Sequence, residues 1–175
     1  MSAAGLAAIR LARPEDAEAL PAIEAAAGTL FATLPGFEDT AAGQPITAER
    51  HRQLIAKRHC LVAASGDRIA GFIACEPFRR ELHVWELSVH PGFQRQGLGE
   101  RLLRGAMIDA HNEGFSALTL TTFRGVAWNA PFYERLGFVE VEDIGSNARL
   151  DRLLDQEEQA GLDREQRIAM IRFLG

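Results

Sequence analysis

Lysine is almost missing from this chain. Of its 19 basic residues only Lys57 is a lysine, and the arginines are scattered. Against 24 acidic residues this leaves a net charge of -5 and a pI of about 5.6. No basic stripe exists to track a phosphate backbone, and Arg79-Arg80 reads as a turn, so no nucleic-acid partner is expected. The acidic balance serves solubility and mildly favours a cationic partner. Cysteine occurs only as Cys60 and Cys75, too few for a disulfide framework or a cysteine metal site. His51, His59, His90 and His111 lack metal-ligand spacing, so no metal is expected. No apolar run approaches the ~18 residues of a membrane span, and Met1 to Gly5 show no basic-then-apolar secretion signal. These absences predict a reduced, cytoplasmic setting with no membrane partner.

What remains is an ordinary globular balance: 175 residues, 47% hydrophobic and 25% charged. The expectation is one domain over 1–175, with a core at about 9–141 and a helical extension at about 146–175. Ile9 to Leu11 alternates as a first strand, and Pro14-Glu15-Asp16 opens a helical pattern in which Pro21 predicts a kink or split. Leu34 to Pro45 is Pro/Gly-rich and reads as a loop; Thr47 is placed to cap a second helix running to about Lys57. Cys60–Ala64, Ile69–Glu76 and Glu81–Val89 read as strands, the first two joined by Ser65-Gly66-Asp67-Arg68. A helix follows to about Asn112, its stripe made of Leu98, Leu102, Leu103 and Met107. Then come a strand at Ala117–Thr122, a short helix at Trp128–Leu136 and a strand at Phe138–Val141. The tail, split at Gly161, predicts two helical pieces whose Leu153, Leu154, Ile168, Met170 and Ile171 need a cover. That cover is either the chain's own acceptor site or a second copy in a homodimer. The pattern is an α/β chain: a twisted, mixed, mostly antiparallel sheet flanked by helices, with a helical C-terminal extension.

The informative chemistry lies between Glu81 and Phe138. Strand residues Leu87-Ser88-Val89 run into Gln94, Arg95, Gln96, Gly97, Leu98 and Gly99, which open a helix. Glycines two apart let a ligand approach the backbone, and free N–H groups at a helix start attract phosphate oxygens. Leu102 stands where a dinucleotide fingerprint needs a third glycine, and the Gly-Lys-Ser/Thr of a P-loop is absent.

Gln94-x-x-Gly97-x-Gly99 followed by Tyr133-x-x-x-Gly137-Phe138 resembles the GNAT superfamily of acyl-CoA-dependent N-acetyltransferases. The resemblance covers about Ile9 to Val141 in element order. It implies a GNAT-like domain, acetyl-CoA as co-substrate, and direct attack by a primary amine in a ternary complex. It also implies that Leu87 and Val89 pair with the pantetheine amides while Gln94 to Gly99 cradle the pyrophosphate. By the same resemblance Tyr133, the single tyrosine, protonates the departing thiolate; a phenol, with pKa ~10, is an acid of similar strength to a thiol.

His83 is the candidate base, on the strand face shared with Trp85 and Leu87; Glu86, on the opposite face, is the second candidate. The family's asparagine seven residues before the tyrosine is here Val126. Asn129 either replaces it at the cofactor or caps the following helix. Thr121 and Thr122 stand where some peptide N-terminal acetyltransferases carry a glutamate, which turns the acceptor expectation toward a small-molecule amine. Glu24, Phe31, Glu38 and Asp39 are candidates on the acceptor side. A protein or peptide amine as acceptor, and a non-catalytic acyl-CoA-binding sensor, stand as the alternatives.

Overall fold

Strand β4, Glu81–Val89, is shared between two compact units of the chain. In the computed structural model, which describes residues 6–38 and 44–175, its C-terminal half lies with Met1–Pro77 and Trp85–Asp109. Its N-terminal half lies with Phe78–Val84 and Ala110–Gly175. Asp39 falls outside the described residues.

The first unit orders its strands β1 (Ala8–Leu11), β2 (Leu61–Ser65), β3 (Arg68–Phe78), β4. β2 is antiparallel to both β1 and β3, with Val62 opposite Phe72. Strand alternation sorts the residues into two apolar faces. Cys60, Val62, Phe72 and Ala74 pack with Leu20 and Ile23 of α1 (Leu20–Gly28) and with Leu54 and Ile55 of α2 (Ala48–Ile55). On the other face, Leu61 lies so close to Gly105 of α3 (Leu98–Asn112) that a Cβ there would meet it at 2.9 Å. The expected split at Pro21 is found. A 3-10 turn covers Pro14–Glu18, and α1 starts afresh with Pro21 in its first turn, where the missing N–H costs nothing. Thr47 caps α2, its hydroxyl accepting from the Arg50 N–H at 3.1 Å.

A buried acid fastens α2 to the sheet. Glu76 of β3 accepts from Arg50 at 2.7 Å, from Lys57, and from the Trp85 indole at 2.7 Å. Burial alone would raise its pKa. The hydrogen bonds from Lys57 and Trp85 and the two positive charges outweigh that and hold it below the usual carboxylate value. The Glu76 contribution is therefore complete above pH 4.5 and is lost as pH falls through the lowered folded value. Glu76→Gln is expected to cost about 2 kcal/mol at pH 7 in urea unfolding, a difference that shrinks toward pH 3. Equal unfolding midpoints at pH 7 would refute the fastening.

In the second unit the order is β4, β5 (Ala117–Phe123), β7 (Arg167–Phe173), β6 (Val139–Glu140). β4 runs parallel to β5, with Glu81 opposite Ala117 and Val84 opposite Leu120; β7 is antiparallel to β5 and β6. The mixed, mostly antiparallel α/β reading holds. The second half of the helical extension does not: only Ala148–Gln159 is helix (α5), and Gly161, at φ +100°, ends the helical stretch. Arg167–Phe173 is a strand paired on both edges. Its Ile168, Ala169, Met170 and Ile171 form a short apolar run that suits either period, and the open edges of β5 and β6 select the strand. Leu150 and Leu154 of α5 bury against Ala169, so those apolar positions find their cover inside this unit. No helix among the described residues is long and apolar enough to cross a membrane.

Candidate active site

The segment after β4 forms a tight, strained turn. Pro91–Phe93 make one 3-10 turn, in which the His90 ring accepts from the Gly92 N–H at 3.0 Å. Arg95 and Gly97 then both adopt the left-handed conformation, at φ +61° and +72°. Arg95 holds that conformation despite its Cβ, at a cost of roughly 1–2 kcal/mol. The Gly97 carbonyl accepts from the Arg101 N–H at 3.0 Å and so begins α3. A Cβ on Gly97 would meet nothing within 4 Å among the described residues, so the turn is open on that side.

The strand end before the turn is fixed. The His90 N–H donates to the Ala70 carbonyl at 2.8 Å. Backbone alternation then points the Val89 N–H and C=O away from β3. The Gln94 side-chain amide takes that carbonyl at 3.1 Å, which leaves the Val89 N–H directed to the same side. Gln94 thus serves as a brace between strand and turn. The sequence pointed to Gln94 without revealing this bond.

Two carboxyl groups of the first unit interact nearby. Glu86 of β4 accepts from the Ser88 hydroxyl at 2.7 Å. Glu24 of α1 accepts from the Ile46 N–H at 2.9 Å, and its carboxyl lies 4.0 Å from Nε2 of His51. Burial first, and repulsion from Glu86 second, push the Glu24 pKa up to about 8. His51 is fully buried, and neither of its ring nitrogens has a hydrogen-bond partner among the described residues. Burial lowers its pKa to about 4. The sequence did signal that His51 is buried: it sits three and four residues before Leu54 and Ile55, on the apolar face of α2. Of the other acceptor-side candidates, Phe31 stands 6.1 Å from the Phe37 ring and Glu38 is exposed.

His83 lies in the second unit. It is 1% exposed and lies edge-on to Phe78, with Nδ1 2.9 Å from the Thr119 hydroxyl. Arg149 of α5 donates to that hydroxyl at 2.8 Å and to Glu81 at 2.8 Å, its guanidinium 4.6 Å from the Phe78 ring centre. Arginine can only donate. The Thr119 hydroxyl therefore accepts from Arg149 and bridges it to His83. Thr119 and Arg149 carried no signal in the sequence, because α5 joins this network through tertiary packing.

Asn129 does not cap its helix, α4 (Ala130–Arg135). Its side-chain carbonyl accepts from the Thr122 hydroxyl at 2.7 Å instead, tying the helix start to β5. Val126 is buried. Tyr133 packs edge-on between Phe132 and Phe138, at 5.2 and 5.7 Å between ring centres. The Gly137-Phe138 pair has a structural reason. Gly137, at φ +87°, ends α4, and the Phe138 N–H donates back to the Tyr133 carbonyl at 3.1 Å, so the buried Phe138 ring folds under Tyr133. Glu86, Leu87, Val89 and residues 94–99 belong to the first unit; His83, Asn129 and Tyr133 belong to the second.

Comparison with known proteins agrees with this geometry. Residues 56–140 match the family model of the acetyltransferase (GNAT) domain. A ribosomal protein bS18-alanine N-acetyltransferase of Salmonella typhimurium is 32% identical over 80 residues, 46% of this chain. The match spans about half of that relative, 54% of its length. PaiA N-acetyltransferase from Thermoplasma acidophilum, solved in complex with coenzyme A, superposes with a TM-score of 0.70 at 17% identity. That alignment covers 99% of this chain and 100% of the other. The ribosomal-protein-S18-alanine N-acetyltransferase from Escherichia coli gives a TM-score of 0.64 at 19% identity, over 96% of this chain and 94% of its own. At these identities the solved structures speak for the fold; the family model speaks for the strand–turn–helix and Tyr133 segments together. On that match residues 56–140, just under half of the chain, are similar to the acetyltransferase (GNAT) domain.

Proposed function

We propose that the protein transfers the acetyl group of acetyl-CoA to a primary amine that attacks directly in a ternary complex. The observation that carries this reading is the Gln94–Leu98 turn, with left-handed Arg95 and Gly97 at the start of α3. Acetyl-CoA supplies the acetyl group as an activated thioester. In this reading Gln94, Arg95, Gln96, Gly97, Leu98 and Gly99 hold the pyrophosphate through backbone N–H groups and the helix dipole. Leu87 and Val89 offer backbone pairing to the pantetheine amides. Tyr133 gives a proton to the departing thiolate, and Glu86 takes the one the amine releases. Glu86 replaces His83 in that role because the Nδ1 of the buried His83 faces Thr119. Neither cysteine suits a covalent acyl intermediate: both are buried, and burial raises both thiols, Cys60 to about 11.

A small-molecule amine is the preferred acceptor. The second reading, an amino group on a protein, is favoured by the alanine N-acetyltransferase activity of the Salmonella relative. Thermal unfolding tests the cofactor. Acetyl-CoA or CoA at a hundredfold excess over Kd should stabilise by about 2.7 kcal/mol, roughly a 5–10 °C rise in Tm. An unrelated nucleotide should leave Tm in place. No rise at millimolar acetyl-CoA would end the enzyme reading. A rise, followed by turnover assays on small amines and on a peptide with an N-terminal alanine, separates the two acceptors. Binding without turnover on any amine would favour a sensor.

A further inference from the structure

We propose that Arg68, seated on the ring of Phe93, binds the ribose 3′-phosphate of acyl-CoA, so that the protein tells coenzyme A from its 3′-dephospho form. The proposal rests on the acetyl-CoA reading above and names the part of the cofactor that Arg68 reads.

β3 brings Arg68 to the turn. The His90 N–H bonds the Ala70 carbonyl at 2.8 Å, so the first residues of β3 run beside the segment that leads into Gln94. The guanidinium carbon of Arg68 stands 5.3 Å from the centre of the Phe93 ring, on the residue directly before Gln94. His90 meets the same ring edge-on, at 6.2 Å between centres. A ring face holds a guanidinium without using up its N–H groups. Among the described residues no carboxylate uses them either: Asp67, its neighbour in the hairpin, is exposed and forms no ion pair with it. Arg10, Arg50, Arg52, Lys57 and Arg104 of the same unit are, by contrast, each paired with an acid.

The backbone beside Phe93 has no donor to offer. Pro91 lacks an N–H. The Gly92 N–H goes to the His90 ring at 3.0 Å, and the Phe93 N–H goes to the His90 carbonyl at 2.8 Å. A phosphate at this place must therefore be held by a side chain, and Arg68 is the cation there. Beyond Gln94 the provision is different. The start of α3 offers backbone N–H groups, and Nη1 of Arg101, in its first turn, is buried with no partner among the described residues. Two neighbouring provisions of different kinds match the two phosphate groups of coenzyme A. The pyrophosphate suits the helix start. The monoester, one ribose away, carries a charge of about −1.5 to −2 at pH 7 and three acceptor oxygens, which suit the planar fork of a guanidinium.

Isothermal titration calorimetry on the full-length protein compares CoA with dephospho-CoA, which has a 3′-hydroxyl in place of the phosphate ester. The parent should bind CoA about five- to tenfold more tightly, the span expected of one exposed charge-assisted contact. Arg68→Gln should weaken CoA by that factor and leave dephospho-CoA where it was, so that the preference disappears. Arg68 is exposed, so the substitution should not move the Tm of the free protein. If the variant does not fold, the two affinities of the parent decide alone. Equal affinities in the parent overturn the proposal. So does an Arg68→Gln variant that loses affinity for both ligands alike, which would make Arg68 a support for the turn through Phe93. Both of these results keep the acetyl-CoA reading. Binding of neither ligand overturns that reading and the proposal together, so the two failures are distinguishable.

Discussion

Tyr133→Phe is expected to lower kcat by about a hundredfold or more while leaving the acetyl-CoA-dependent rise in Tm unchanged. The substitution removes one hydroxyl and keeps the ring. The edge-on contacts with Phe132 and Phe138 depend on the ring, so the packing at the end of α4 should survive. The hydrogen bond from the Phe138 N–H to the residue 133 carbonyl is made by backbone and is unaffected. What is lost is the proton for the departing thiolate, a contribution general acids typically make at about 10²–10⁴-fold. Steady-state rates and thermal shifts on the same preparations check the split. A variant with full kcat would remove Tyr133 from the chemistry and leave it a packing residue. A variant that also loses ligand stabilisation would place the hydroxyl in binding instead.

Gly71→Ala should be among the most damaging single-methyl additions in the first unit. A Cβ at Gly71 would stand 2.8 Å from the Ser88 carbonyl oxygen and 3.2 Å from the Val89 Cα. Both are backbone atoms of β4, so no side-chain rotation relieves the clash and the strands must separate. Such overpacking typically costs about 1–3 kcal/mol, here at the upper end, which is roughly 4–12 °C in Tm. The displacement falls on the strand end that leads into Gln94 and the left-handed turn, so acetyl-CoA should also stabilise the variant less than the parent. Thermal unfolding with and without acetyl-CoA measures both effects. An unchanged Tm would mean that β4 yields freely at Ser88–Val89, and that strand end could not then serve as a rigid edge for the cofactor.

Much of this was readable before any coordinates. Thr47 before an amphipathic run marked α2, because an oxygen-bearing side chain there satisfies an orphan N–H whatever surrounds it. Pro21 marked the true start of α1 for an equally local reason. Gly97 and Gly137 marked turns because few other residues tolerate positive φ. The family signature is built from such local constraints: an open, left-handed turn at a helix start, and a glycine that ends α4 under Tyr133.

The features that were misread or missed depend on partners far along the chain. Arg167–Phe173 reads as helix by composition and becomes a strand because β5 and β6 present unpaired edges to it. Asn129 has the chemistry of a cap, yet Thr122 of β5 takes its carbonyl. The contact of His83 with Thr119, and of Thr119 with Arg149, joins residues 30 or more positions apart. Glu24 and Glu86 lie 62 positions apart, and no spacing rule foretells that the charge of one helps to raise the pKa of the other. The sequence by itself determined the element order as far as α5 and the left-handed turn before α3, because these rest on backbone conformations set within a few residues. Only the tertiary structure decided which titratable groups are buried and which are paired, because burial and Coulomb interactions depend on distance in space and not along the chain.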